Sequence, residues 1–151
     1  MRIGLRRRLW HLSACLSIAL AAWFLSSTTL LVGLGLVTFF FLAFEVVRLK
    51  VTRVNGWLFS HFGSLLREEE RSRLITSSYV LIAALVAYLA FGRDVAVLSV
   101  CFLAVGDVAA GIVGPYIGRT RLFGKALEGD LACFLACLAA GIVLHFAGLE
   151  I

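Results

Sequence analysis

Charge and proline are both scarce in this chain: 15% of its 151 residues are Asp, Glu, Lys or Arg, 62% are hydrophobic, and there is one proline. A soluble domain of this length needs far more charged surface, so an ordinary water-soluble domain is excluded. The length suits one compact unit, residues 1–151, with no room for a separate soluble domain. Acidic residues are outnumbered, nine against fourteen basic, for a net charge of +5. In a soluble chain that excess would suggest nucleic acid. Here the arginines flank apolar runs, so anionic headgroups and phosphate are the expected partners and nucleic acid is not. The four cysteines, Cys15, Cys101, Cys133 and Cys137, all lie in apolar stretches. Without C-x-x-C spacing or a histidine in ligand register, they read as small buried filler rather than a metal site. No internal repeat or low-complexity tract is present.

What is there is a series of apolar runs. A membrane-spanning helix needs roughly 20 mostly apolar residues. No charge occurs from Leu12 to Phe44, too long a run for one span. Its polar break, Ser26-Ser27-Thr28-Thr29, predicts a hairpin of two helices over 9–25 and 30–47. Further spans are predicted at 74–91, 95–114 and 131–148, with Gly92-Arg93-Asp94 as a tight link. The expected fold is an all-α polytopic membrane bundle of about five transmembrane helices. A basic segment before an apolar run also fits a cleaved signal peptide. The absence of a small-residue cleavage site and the second span that follows favour a retained helix.

With five spans, thirteen of the fourteen Lys and Arg residues fall on one side: the N-terminal arginines, the connection from Arg48 to Arg73, and Arg119, Arg121 and Lys125. Arg93 alone falls on the other. The positive-inside rule then predicts a multi-pass protein of the cell membrane with a cytoplasmic N-terminus. Within 48–73, Trp57, Leu58, Phe62, Leu65 and Leu66 recur at helical spacing after an Asn55-Gly56 turn. They predict a short helix lying in the interface.

A charge inside a spanning helix costs about 2.5–3.5 kcal/mol on insertion scales and tends to mark function. Asp107 is such a charge. Asp107, Gly111, Gly114 and Gly118 follow i, i+4, i+7, i+11 and so share one helix face. That face suits either a neighbouring helix packed on small residues or a ligand approaching the backbone. The next connection carries Arg119, Arg121, Gly124, Lys125, Glu128, Gly129 and Asp130. Cations, glycine-freed N–H groups and acids able to hold Mg²⁺ are what a nucleoside triphosphate needs; an ordinary basic membrane anchor is the plainer account. It is not a Walker A loop, since the spacing is wrong and Ala126 replaces Ser or Thr. Glu45 and Arg48 (i, i+3) read as an intrahelical pair or part of a site. Arg67 and Glu70 read the same way, as a solvated pair or part of a site. His11 reads as an interfacial residue that snorkels or lines the site. His61 and His145 carry no role.

The stretch Gly106-Asp107-Val108-Ala109-Ala110-Gly111-Ile112-Val113-Gly114, followed by Gly118-Arg119 and Gly124-Lys125-Ala126-Leu127-Glu128-Gly129, resembles a known pattern. It is similar to G-D-x-x-A-x-x-x-G-x-x-x-G-[RK] and G-K-S-x-E-G of the dolichol kinase, phytol kinase and CTP-dependent diacylglycerol kinase family, which is related to the phosphatidate cytidylyltransferases. Weaker matches are Arg7-Arg8-Leu9-Trp10-His11, Glu45-Val46-Val47-Arg48 and Leu66-Arg67-Glu68-Glu69-Glu70. Ala126 departs from the family's Ser or Thr. The resemblance implies phosphoryl transfer from CTP, with Mg²⁺, to a lipid alcohol such as a polyprenol, a phytol-like alcohol or a diacylglycerol. It implies Asp107, Lys125 and Glu128 as catalytic, with Asp107 and Glu128 on the metal. Gly111, Gly114, Gly118, Arg119, Arg121, Gly124, Lys125 and Gly129 would hold nucleotide, and His11, Glu45, Arg48, Arg67 and Glu70 would form the rim. A cytidylyltransferase acting on a lipid phosphate, or a non-catalytic scaffold or transport subunit, are the alternatives. Five short helices would also suit a homo-oligomer.

Overall fold

The computed structural model describes residues 2–122, 124–146 and 148. Among them six α-helices follow one another: α1 (Arg2–Phe24), α2 (Ser27–Lys50), α3 (Thr52–Phe62), α4 (Thr76–Phe91), α5 (Arg93–Ile117) and α6 (Leu127–Phe146). A 3₁₀ turn, Glu68–Arg71, precedes α4, and a minimal antiparallel ladder, β1 (Arg121–Leu122) with β2 (Lys125–Ala126), precedes α6. Apart from that two-residue ladder the described chain is helical, as the all-α expectation has it.

The break in the charge-free run is shorter than predicted. Ser26 caps α2, its hydroxyl accepting from the Thr29 N–H at 3.2 Å, so Thr28 and Thr29 are already helical. Asn55-Gly56 lies inside α3 and does not form a turn before it, while Leu65 and Leu66 lie beyond its end. Glu128, Gly129 and Asp130 belong to the first turns of α6, not to the connection. The fifth predicted span ran across residue 147, which lies outside the described residues.

α2, α5 and α6 are long and apolar enough to cross a membrane. α4 is apolar but has 16 residues. α1 has 23, but it opens on arginines and carries Trp10 and His11, which dilute its apolar stretch. Among the described residues three helices qualify, against the five spans expected. Large apolar side chains such as Phe39, Phe40, Leu89, Phe134 and Val143 point outward, as they do where hydrocarbon replaces water.

α1, α2, α4 and α5 enclose two apolar clusters, one around Ala19, Leu30, Tyr88 and Cys101, the other around Cys15, Leu34, Ala84 and Ala104. α6 packs on α5 through small residues. A Cβ added to Gly106 would meet the sulfurs of Cys133 and Cys137, and one on Gly129 would sit 3.1 Å from the Gly114 Cα. The bundle has two chemically different ends. At one, the Tyr88 hydroxyl donates to the Ser27 carbonyl at 2.7 Å, and Gly92, at φ 85°, links α4 to α5 in a single residue. At the other end lie the start of α1, the end of α2, residues 63–75 and the α5–α6 connection.

Candidate functional site

The basic end holds two charged constellations built on different physics. The first ties α2 to the loop before α4. Glu45 and Arg48 are fully buried, each 0% exposed. Arg48 donates through Nε and Nη2 to the two carboxylate oxygens of Glu45 at 2.8 and 2.9 Å. Its remaining N–H groups reach Asn55 Oδ1, the Glu70 carbonyl and the Arg73 carbonyl at 2.7–3.0 Å. All five guanidinium hydrogens therefore have acceptors. Glu45 Oε2 also accepts from the Ile75 N–H at 2.9 Å, and Asn55 Nδ2 donates to the Arg71 carbonyl. This saturated clamp explains why Asn55 is drawn into α3.

Glu70 does not form the predicted side-chain pair with Arg67. Its Oε2 accepts from the Arg67 backbone N–H at 2.8 Å. Oε1 accepts from the Thr76 N–H and hydroxyl and, at 3.2 Å, from Arg7 Nη2. Arg7 also donates to Thr76 Oγ1 at 2.6 Å. Burial would push the Glu70 carboxyl up, but the Thr76 and Arg67 donors and the Arg7 guanidinium together hold it below the usual glutamate value. Glu45 and Glu70 thus occupy free N–H groups at the start of α4.

The second constellation is open. A cleft of about 500 Å³ runs between the end of α5, the hairpin and the start of α6. Asp107, Gly111, Gly114 and Gly118 line one side, as the helical spacing predicts; Gly124, Lys125 and Gly129 face them, with Arg121 and Asp130 beside them. Asp107 is exposed to this cleft and is not buried among helices. The glycines are needed here. A Cβ on Gly118 would collide with the Gly114 carbonyl and the Ala126 methyl, and Gly124 turns the hairpin at φ 81°.

Arg119 and Glu128 are not in the cleft wall. Glu128 Oε1 instead accepts from the Arg119 and Thr120 N–H groups at 3.1 and 3.0 Å, pinning the turn after α5. Its Oε2 is buried with no hydrogen-bond partner among the described residues. Asp130, which lines the cleft with Ala126 and Gly129, supplies the carboxylate the cleft receives from α6. Among the described residues no three His, Cys, Asp or Glu side chains form a metal-holding group. Asp107 and Asp130 do fit a Mg²⁺ that arrives on nucleotide phosphates, which needs only one or two carboxylates from the protein.

A second cavity, about 210 Å³, adjoins the cleft between α1, α4 and α5. Arg7, Arg8, His11, Arg67, Thr76 and Asp107 form its polar wall, above Cys15, Val80, Leu103 and Ala104. His11 also borders an apolar cavity of about 170 Å³, with Trp10, Phe41, Phe44 and Phe62. Of the predicted rim residues, His11, Arg67 and Glu70 therefore sit near the cleft's neighbours, whereas Glu45 and Arg48 line none of these cavities. Sequence spacing missed Arg8, which reaches across 103 positions to donate to the Gly111 carbonyl.

No protein-family model and no solved structure matches the chain. It is similar to an uncharacterized protein of Rickettsia prowazekii, 22% identical over 144 residues, covering 93% of this chain and 70% of the relative.

Proposed function

We propose that the protein is a membrane lipid kinase that transfers the terminal phosphate of CTP to a lipid alcohol at its cytoplasmic face. The observation carrying this reading is the open cleft, where Asp107 stands on a glycine-lined helix face opposite Lys125 and Arg121. Lys125 and Arg121 bind the triphosphate and offset the charge that develops on it. Gly118, Gly124 and Gly129 let backbone come close to phosphate oxygens. Asp107 accepts the proton of the acceptor hydroxyl. Asp130 would hold Mg²⁺ arriving on the phosphates, which supplies charge neutralisation there. Glu128 shapes the phosphate-binding turn by holding the Arg119 and Thr120 N–H groups.

The same reading makes the chain a five-crossing protein of the cell membrane, with α1 and α4 completing the spans and the basic end in the cytoplasm. The nucleotide then arrives from water and the lipid from the bilayer. The resemblance of residues 106–129 to the CTP-dependent lipid kinases supports the choice of donor and acceptor.

Purified protein in mixed micelles, given CTP labelled at the γ-phosphate and a membrane lipid extract, tests the proposal. A labelled lipid with release of CDP is expected. Transfer of an α-label with release of pyrophosphate would instead make it a cytidylyltransferase, and no labelled lipid from either position would leave only a scaffold.

A further inference from the structure

Arg8 and Asp107 are the two residues shared by the walls of the cleft and of the smaller cavity. The position of Arg8 has a cause in the chain's single proline. In an α-helix the Gly111 carbonyl would accept the N–H of residue 115, but Pro115 has no N–H and its ring crowds that carbonyl outward. Arg8 Nη1 donates to the oxygen left free. The guanidinium lies so close over Gly111 that any Cβ there would collide with it. Arg48 spends all its donors on protein acceptors, and Arg7 is held by Glu70 and Thr76. Among the described residues Arg8 makes this one side-chain hydrogen bond, leaving donors facing the boundary between the two spaces.

The two spaces differ in chemistry. The cleft is walled by glycine backbone, Arg121 and Lys125, which suits phosphates. The smaller cavity has a polar wall over an apolar floor of Cys15, Val80, Leu103 and Ala104. At about 210 Å³ it holds a headgroup rather than a whole lipid. That suits a hydroxyl carried on hydrocarbon.

Resting on the kinase reading above, we infer that the smaller cavity is the acceptor site and that Arg8 is a catalytic residue touching the phosphoryl group as it passes from cleft to cavity. The acceptor oxygen forms a bond to the γ-phosphorus as the bond from that phosphorus to the β–γ bridging oxygen breaks. The electron pair leaves with CDP, and the hydroxyl proton passes to Asp107 and then to solvent. Arg8 donates to the equatorial oxygens of the group in transit. Arg67, in the wall of the smaller cavity alone, contacts the acceptor headgroup.

Steady-state kinetics with γ-labelled CTP and either dioleoylglycerol or farnesol test this, alongside direct binding of labelled CTP. Arg8→Ala is expected to lower kcat by about 10³-fold, in the range of a transition-state arginine, with CTP binding unchanged and partial rescue in Arg8→Lys. Pro115→Ala returns an N–H to Gly111 and competes for its carbonyl. It should lower kcat roughly tenfold, the worth of one charge-assisted hydrogen bond, without loss of thermal stability. Arg67→Ala should raise KM for the lipid alone, whereas Lys125→Ala should raise KM for CTP and lower kcat as well. Wild-type activity together with undiminished kcat in both Arg8→Ala and Pro115→Ala overturns this inference and leaves the kinase reading standing. So does an Arg67→Ala variant whose KM rises for CTP rather than lipid. Wild-type protein that binds CTP but phosphorylates neither alcohol nor any extracted lipid overturns both.

Discussion

The Arg48 clamp and the Asp107 cleft lie at the same end of the bundle and use the same side-chain types, yet they are opposites. In the clamp, each guanidinium hydrogen has an acceptor and both charges are sealed from solvent. In the cleft, Asp107, Arg121 and Lys125 are exposed along a wall of glycines. A closed network of charges fixes backbone; an open one has capacity left for a ligand. Residue type and helical spacing made Asp107 the clearer candidate but left Glu45–Arg48 open as either an intrahelical pair or part of a site. Saturation of hydrogen bonds does separate them.

Breaking the clamp should therefore unfold the protein, whereas breaking the cleft should silence it. The largest stability effect is expected from Arg48→Ala, which leaves the Glu45 carboxylate buried without its main partner and costs about 3–5 kcal/mol. Fluorescence-detected gel filtration should show little folded protein, and replacing Glu45 and Arg48 together by Leu and Met should restore part of it. A smaller loss is expected in Gly129→Ala. Its methyl would sit 3.1 Å from the Gly114 Cα and 3.2 Å from the Ala110 carbonyl, forcing α6 off α5 at a cost of about 1–3 kcal/mol. Gly33→Ala, with open space around it, is the matched control and should melt no lower than wild type. Gly124→Ala puts a side chain on a left-handed residue at φ 81° and should cost about 1–2 kcal/mol. Its effect should appear in CTP affinity as well, because it reshapes the hairpin over the cleft.

The smallest effect is a pH dependence. The Glu70 carboxyl titrates below its ordinary value in the fold, so the folded state favours its charged form. That contribution is complete above the unfolded-state value, about 4.3, and fades as pH falls through the window down to the folded value. Thermal melts should drop across that acidic window in wild type and less steeply in Glu70→Gln.

Much of the helical framework could be read from the chain, because apolar runs bounded by charge are local signals. The α1–α2 break was legible in Ser26 to Thr29, although one serine cap proved enough to make the turn. The glycine face below Asp107 was legible because helical spacing is local too. Local signals did not reach the contacts that decide roles. Asn55-Gly56 carries a turn signature, but Arg48 and the Arg71 carbonyl hold Asn55 in a helix. Arg119 and Arg121 are indistinguishable by composition; in the fold Arg121 and Lys125, both in the hairpin, line the cleft, and Arg119, before it, does not. Glu128 and Asp130 differ likewise, since their positions on α6 aim one at the turn after α5 and the other at the cleft. Arg8 entered only as a topology charge and within the weaker motif Arg7-Arg8-Leu9-Trp10-His11, because nothing within its own segment points to a carbonyl freed by a proline 107 positions later.

The account turns on Asp107 being a chemical group rather than a packing one. The most direct measurement compares wild type with Asp107→Asn, a near-isosteric change, for γ-phosphate transfer from CTP and for thermal stability in the same micelles. The account predicts a loss of transfer of about 10²–10⁴-fold, the usual worth of a general base, with a melting temperature at or above that of wild type. Wild-type transfer in Asp107→Asn, or a loss of activity matched by a loss of folded protein, would contradict it.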